Sequence, residues 1–254
     1  MAEWLPPIFD ENNSQAARQL ARRLAAYLPR TLSQQILRRG LPVPGSGNPI
    51  QAAVIFADVS GFTHLSEMFA QEGPQGVERL NRALLYTFTP LINAIHDAGG
   101  AVSRFHGDAM MVYFPDDDGQ AALRALATAR FMQNLVESAP PPGTTRLLGG
   151  ISRRLTIKIG VGYGRCLEMV LGEEGHHLEF VLAGTAVDEA ASAEEQAHAG
   201  QIMASQAVLA KAGLNADTPF RLVTETLPIP GVRSGFYWDA YEPAAIDRLL
   251  KYAP

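Results

Sequence analysis

The 254-residue sequence contains a single cysteine, Cys166, so an internal disulfide framework is excluded and a reducing compartment suits the chain. That cysteine reads as a buried strand residue, not as a nucleophile. No uninterrupted apolar run reaches the roughly 18 residues of a membrane span, and the N-terminus lacks the charged-then-apolar pattern of a signal peptide. The expected location is therefore the cytoplasm. Basic charge is also short: 21 Lys and Arg against 26 Asp and Glu leave a formal net charge of -5. A dedicated nucleic-acid binder would show a basic stripe, and none is present. With 47% hydrophobic residues the chain has ample material for a packed core, in one large domain or one domain with an appendage.

What the sequence does contain is two carboxylates, each delivered by an apolar, strand-like run: Asp58 in FADVSGFT and Asp108 in RFHGDAMMVYF. Alone, an Asp between a strand and a Gly-containing turn is a common turn former or helix N-cap. As a pair, with Gly-Phe-Thr following the first where a phosphate-cradling turn would lie, they suit hard divalent cations. Mg²⁺ prefers oxygen ligands and is held by one or two carboxylates plus substrate phosphates; two such ions act on attacking and leaving oxygens together. The pattern points to phosphoryl or nucleotidyl transfer.

Periodicity supplies the frame. Leu20, Leu24, Leu28, Leu32 and Ile36 share a helical face within 14–39, interrupted at Pro29, so residues 1–40 read as an N-terminal helical segment and the Gly/Pro-rich 41–50 as a linker. A main domain is expected over 51–241 and a helical tail over 242–254. Within the domain the spacing predicts a strand at 52–58, helices at 64–69 and 74–98, a hairpin of strands 101–105 and 109–114, and a helix over 120–138. A Pro/Gly loop at 140–150 follows. Strands are then expected at 155–163, 166–171 and 179–183, an Ala-rich helix at 185–199, and short elements to 239. The fold class is α/β (α+β): a ferredoxin-like βαββαβ core with helices on one face of a mixed, largely antiparallel sheet. The run Asp116 to Asp118 is placed to cap a helix, and His176 and His177 fall in a polar loop.

FADVSGFT, FHGDAMMVYF, IKIGVGYGRC and FVLAGTAVDEAASAEEQA, in this order and spacing, resemble the catalytic core of class III nucleotidyl cyclases, most closely the bicarbonate-responsive soluble adenylyl cyclase group. The likeness runs from Gln51 to Tyr241, about three quarters of the chain. It implies a head-to-tail pair of domains with active sites at their interface, in which ATP is converted to cyclic AMP and pyrophosphate. On that template two ions, Mg²⁺ or Mn²⁺, are held by Asp58, Asp108 and the carbonyl of Val59. Gly61, Phe62 and Thr63 meet the terminal phosphates, and Arg165 contacts phosphate as a bidentate guanidinium can.

Other positions depart from the template. Arg104 stands at the adenine-selecting lysine, Val181 at its Asp or Thr partner, Asp188 at the transition-state asparagine and Ser192 at the arginine four residues on. A carboxylate and a hydroxyl cannot stabilise growing negative charge as an amide and a guanidinium do, a loss typically worth about 10²- to 10³-fold for each donor. In the tandem members of the group a lysine and an arginine bind bicarbonate; Arg104 and Ala191 occupy those positions and speak against that regulation. The resemblance thus implies a first-domain-like, metal-bearing half, completed by a complementary cyclase domain in the same longer chain or another protein, or by a second copy. The alternative is a catalytically inactive cyclase-homology domain acting as a nucleotide- and metal-binding regulatory or dimerisation module. A diguanylate cyclase, a third palm-like option, lacks support because no GGDEF-type turn is present.

Overall fold

The computed structural model describes residues 28–40, 43–138, 155–173 and 177–228. Expectations for the first N-terminal helix, the 140–150 loop, His176, the last short strand and the C-terminal tail lie outside these residues. The chain divides into two compact units, one of Met1–Asn48, Glu168–Val181 and Gly235–Pro254, the other of Pro49–Leu167 and Leu182–Ser234.

In the smaller unit, helix α1 (Arg30–Arg39) begins directly after Pro29 and ends at Gly40. It buries Leu32 and Ile36, the apolar spacing read from the sequence, together with Leu37. The Gly45 N–H donates to the Val170 carbonyl at 2.8 Å, and the Asn48 amide donates to the buried Glu168 carboxylate at 2.9 Å.

The elements that follow are β1 (Gly47–Ser60), α2 (Phe62–Ala70), α3 (Pro74–Asp97), β2 (Ala101–His106), β3 (Ala109–Pro115), α4 (Ala121–Ser138), β4 (Thr156–Glu173), β5 (His177–Ala183), α5 (Thr185–Gln196), β6 (Ile202–Ser205), α6 (Gln206–Lys211) and β7 (Phe220–Leu222). The sheet order is β2-β3-β1-β4-β6-β7, with β5 pairing β4. Its first four strands have the order of a ferredoxin-like core, as expected. β1 and β3 are antiparallel, from Ala52 opposite Pro115 to Asp58 opposite Ala109; β4 and β6 are parallel. The continuous apolar run Ala52 to Ile55 is fully buried, which is why it reads as unbroken and not as alternating. Helix α4 lays Ala121, Ala125, Ala129, Met132 and Val136 into the same core.

The strands differ from the sequence reading in two places. β1 starts at Gly47, inside the stretch read as a linker. β4 is one strand where two were expected, because Gly164, in the gap between them, is a place of close approach: a Cβ there would lie 2.6 Å from Thr185 Oγ1. A Cβ on Gly160 would lie 2.2 Å from the Ala190 carbonyl oxygen, and one on Gly162 2.5 Å from that of Ala186. Helix α5 rests on β4 where these side chains are missing, burying Ala186, Ala190 and Ala193.

The acids after β3 do cap α4, but they do more. Asp116 accepts the N–H of Ala121 at 2.9 Å, the phenol of Tyr163 on β4 at 2.6 Å and the ammonium of Lys211 on α6 at 2.9 Å, with its side chain only 3% exposed. Burial opposes its ionisation, yet these donors together hold its carboxyl below the ordinary 3.8.

Gly160→Ala is expected to lift α5 from the sheet and cost about 2 kcal/mol or more in urea unfolding. Asp116→Ala should cost about 1.5–3 kcal/mol at pH 7, since it strips a buried acceptor from three donors. A carboxyl held low contributes stability above pH 3.8 and loses it as pH falls through its own lower value. The gap between parent and variant should therefore close over that acid range, as unfolding curves taken across pH will show.

Candidate active site

Asp58 reaches its place because β1 is apolar up to Ala57 and pairs with β3 through its last residues. Its rung, Asp58 opposite Ala109, ends the β1–β3 register, and just beyond it the Val59 N–H donates to the Asp108 carbonyl at 3.3 Å. Asp108 follows Gly107, whose φ of +66° makes the β2–β3 turn. The two acids thus lie on consecutive rungs at one end of adjacent antiparallel strands, each half-buried. Burial raises the Asp58 carboxyl above its ordinary value, the charge of Asp108 raises it further, Lys158 opposes the shift and Glu194 adds to it. Two like-charged carboxylates at one strand end offer oxygen donors of the kind that a divalent cation takes. Among the described residues no group of three or more His, Cys, Asp or Glu gathers to hold a metal. A two-carboxylate site is completed by water and phosphate oxygens, as Mg²⁺ accepts.

Directly after β1 the chain turns at Gly61, whose φ of +110° belongs to glycine, and enters α2 with Phe62 as its first residue. The first N–H groups of a helix have no partner within it, and with the helix dipole they favour an anion. Phe62 buries its ring, stacked on Phe88 at 5.4 Å; Phe88 in turn meets Phe105 of β2 edge-on at 5.8 Å. These three rings tie the Gly61 turn to the strand that leads to Asp108. Thr63 is exposed in the first turn of α2.

Arg165 lies exposed on β4, two residues past Tyr163. It is not among the charges acting on Asp58; Lys158 is. Lys158 stands on β4, the sheet neighbour of β1, and pairs with Glu194 of α5 at 2.6 Å, a bond that raises the lysine above its ordinary value. Sequence reading passed over both residues, although a lysine interrupting the apolar alternation of IKIGVG was a visible signal.

Arg104 occupies β2 opposite Met111, Val181 is half-buried on β5, Asp188 is exposed in the first turn of α5, and Ser192 sits one turn on. His177 is exposed beside Glu179, 3.3 Å away. Cys166 is buried on β4.

A family model described as the adenylate and guanylate cyclase catalytic domain matches residues 48–226. Adenylate cyclase type 10 of Oryctolagus cuniculus is 28% identical over 185 residues, covering 72% of this chain but 11% of that protein. An adenylate cyclase of Anabaena cylindrica is 26% identical over 196 residues, covering 74% of this chain and 36% of the relative. The chain therefore spans a small part of the curated relatives it matches. Among solved structures, the adenylyl cyclase CyaB from P. aeruginosa superposes with a TM-score of 0.56 at 22% identity, covering 71% of this chain and 97% of that one. A class III adenylyl cyclase-like ATP-binding protein from Pseudomonas aeruginosa gives 0.56 at 15% identity, covering 80% and 44%. These likenesses show a shared fold, and the match of the family model over most of the sequence shows that the chain belongs to the adenylate and guanylate cyclase catalytic domain family.

Proposed function

We propose that this chain is the metal-bearing half of a nucleotidyl cyclase that forms cyclic AMP and pyrophosphate from ATP, in the cytoplasm, with a complementary domain completing the site. The observation that carries the reading is that Asp58 and Asp108 lie on consecutive rungs at the strand end that opens into the Gly61 turn. Against this, Asp188 and Ser192 stand where the complementary half needs neutral and cationic donors. Among the described residues no helix is long and apolar enough to cross a membrane.

In this reading Asp58, Asp108 and the Val59 carbonyl hold Mg²⁺ or Mn²⁺, which supply Lewis acidity for the 3′-hydroxyl and charge neutralisation at the phosphates. The protein's own groups orient the triphosphate. Backbone N–H groups of Gly61, Phe62 and Thr63 bind its terminal oxygens, and the Thr63 hydroxyl adds a donor. Arg165 places a planar pair of donors on a phosphate, stabilising charge that moves toward the leaving pyrophosphate. Fixing the triphosphate this way aligns the α-phosphorus for in-line attack by the 3′-oxygen. Recognition of the base and the remaining transition-state donors falls to the partner domain, because Val181 offers no hydrogen bond to a base edge.

A second reading, an inactive nucleotide- and metal-binding module, is favoured by the same Asp188 and Ser192. The two separate in one assay. With Mn²⁺ and ATP, the isolated chain should yield little cyclic AMP. Adding a cyclase domain that carries the lysine, asparagine and arginine should raise turnover at least about 100-fold, and Asp58→Ala should abolish the gain. Robust turnover by the chain alone contradicts the half-site proposal, and tight nucleotide binding without turnover beside any partner domain selects the second reading.

A further inference from the structure

We propose that Thr185 is a positioning residue for Arg165, its hydroxyl clamping the arginine's backbone and so setting where the guanidinium stands. This rests on the reading of Arg165 as a phosphate ligand. Thr185 is the first residue of α5, twenty positions away in sequence, yet its Oγ1 accepts the Arg165 N–H at 3.1 Å and donates to the Arg165 carbonyl at 3.3 Å. One hydroxyl, acting as acceptor and donor, occupies both backbone groups of a single residue.

The surroundings are built for this contact. A Cβ on Gly164 would lie 2.6 Å from Thr185 Oγ1, and a Cβ on Gly184 would lie 2.4 Å from the Arg165 carbonyl oxygen. Gly184 also has a φ of +134°, outside the range of other residues. Two glycines, one on each side, thus let the β5–α5 corner close onto β4 at Arg165. No side chain caps the start of α5, and the threonine hydroxyl is spent on the strand instead.

The arginine needs such help. Its side chain is exposed and, among the described residues, carries no ion pair or hydrogen bond of its own. A long side chain without a partner is located only by its Cα and by the backbone direction there. When the neighbouring backbone drifts, the guanidinium loses the alignment that bidentate contact requires. Thr185 would therefore act through Arg165 and not on the nucleotide.

The test is a double-mutant cycle on the full 254-residue chain. Calorimetry would measure the affinity for 3′-deoxy-ATP with Mn²⁺, a probe that cannot cyclise. Arg165→Ala should weaken binding about tenfold, and Thr185→Val, which keeps the shape but removes the hydroxyl, about fivefold. Thr185→Ser should restore affinity to within about twofold of the parent. The Arg165→Ala/Thr185→Val double variant should bind no more weakly than Arg165→Ala alone, a non-additivity that general destabilisation would not produce. Thr185→Ala serves the same cycle if the valine variant does not fold. Parental affinity in both hydroxyl-deleting variants, or additive losses in the double variant, overturns the role of Thr185. If Arg165→Ala binds like the parent, or the parent does not bind, the phosphate reading itself falls and takes this inference with it.

Discussion

Two carboxylates held at the same end of a β-ladder repel one another, and much of the surrounding architecture bears on that repulsion. The β1–β3 register brings Asp58 opposite Ala109 and sets Val59 against Asp108, so neither acid can move away without breaking the ladder. Burial makes the charge on Asp58 harder still to hold. A divalent cation with oxygen ligands would resolve the conflict, and in the function proposed the N–H groups after the Gly61 turn meet the phosphates of a metal-bound nucleotide. A site of this kind is poised for a ligand that brings positive charge with it.

Helix α5 links the rest. Its inner face of Ala186, Ala190 and Ala193 lies on β4, closest where Gly160 and Gly162 leave room. At its start Thr185 bonds the backbone of Arg165; toward its end Glu194 holds Lys158, the cation that acts on Asp58. One helix therefore touches both Arg165 and Lys158 of β4. The inner face is constrained to small residues by contact, whereas Asp188 is exposed. That asymmetry lets residue 188 vary without disturbing the packing of the helix, as the half-site proposal requires.

Much of the fold was legible in the sequence because its elements announce themselves by pattern. The apolar run before Asp58, the helix ending at the Gly99–Gly100 pair and the hairpin around Gly107 all lie where expected. Legibility failed where one residue type serves two purposes. Gly164 reads as a turn but gives close approach to Thr185, so β4 runs on through the expected break. Asp116 reads as a helix cap, and its bonds to Tyr163 and Lys211 join elements distant in sequence. Lys158 and Glu194 were missed for the same reason: an ion pair between a strand and a helix leaves no local signature, only a charge within an apolar run.

In the function proposed, Asp58 and Asp108 together anchor a metal-bound nucleotide on this chain. The most direct measurement is the water-proton relaxation rate of Mn²⁺ with ATP as the protein is titrated in. The account predicts enhancement with the parent chain, as the Mn²⁺–ATP complex becomes immobilised, and its loss in an Asp58→Asn/Asp108→Asn variant that remains folded. Equal enhancement by the folded double variant would contradict it.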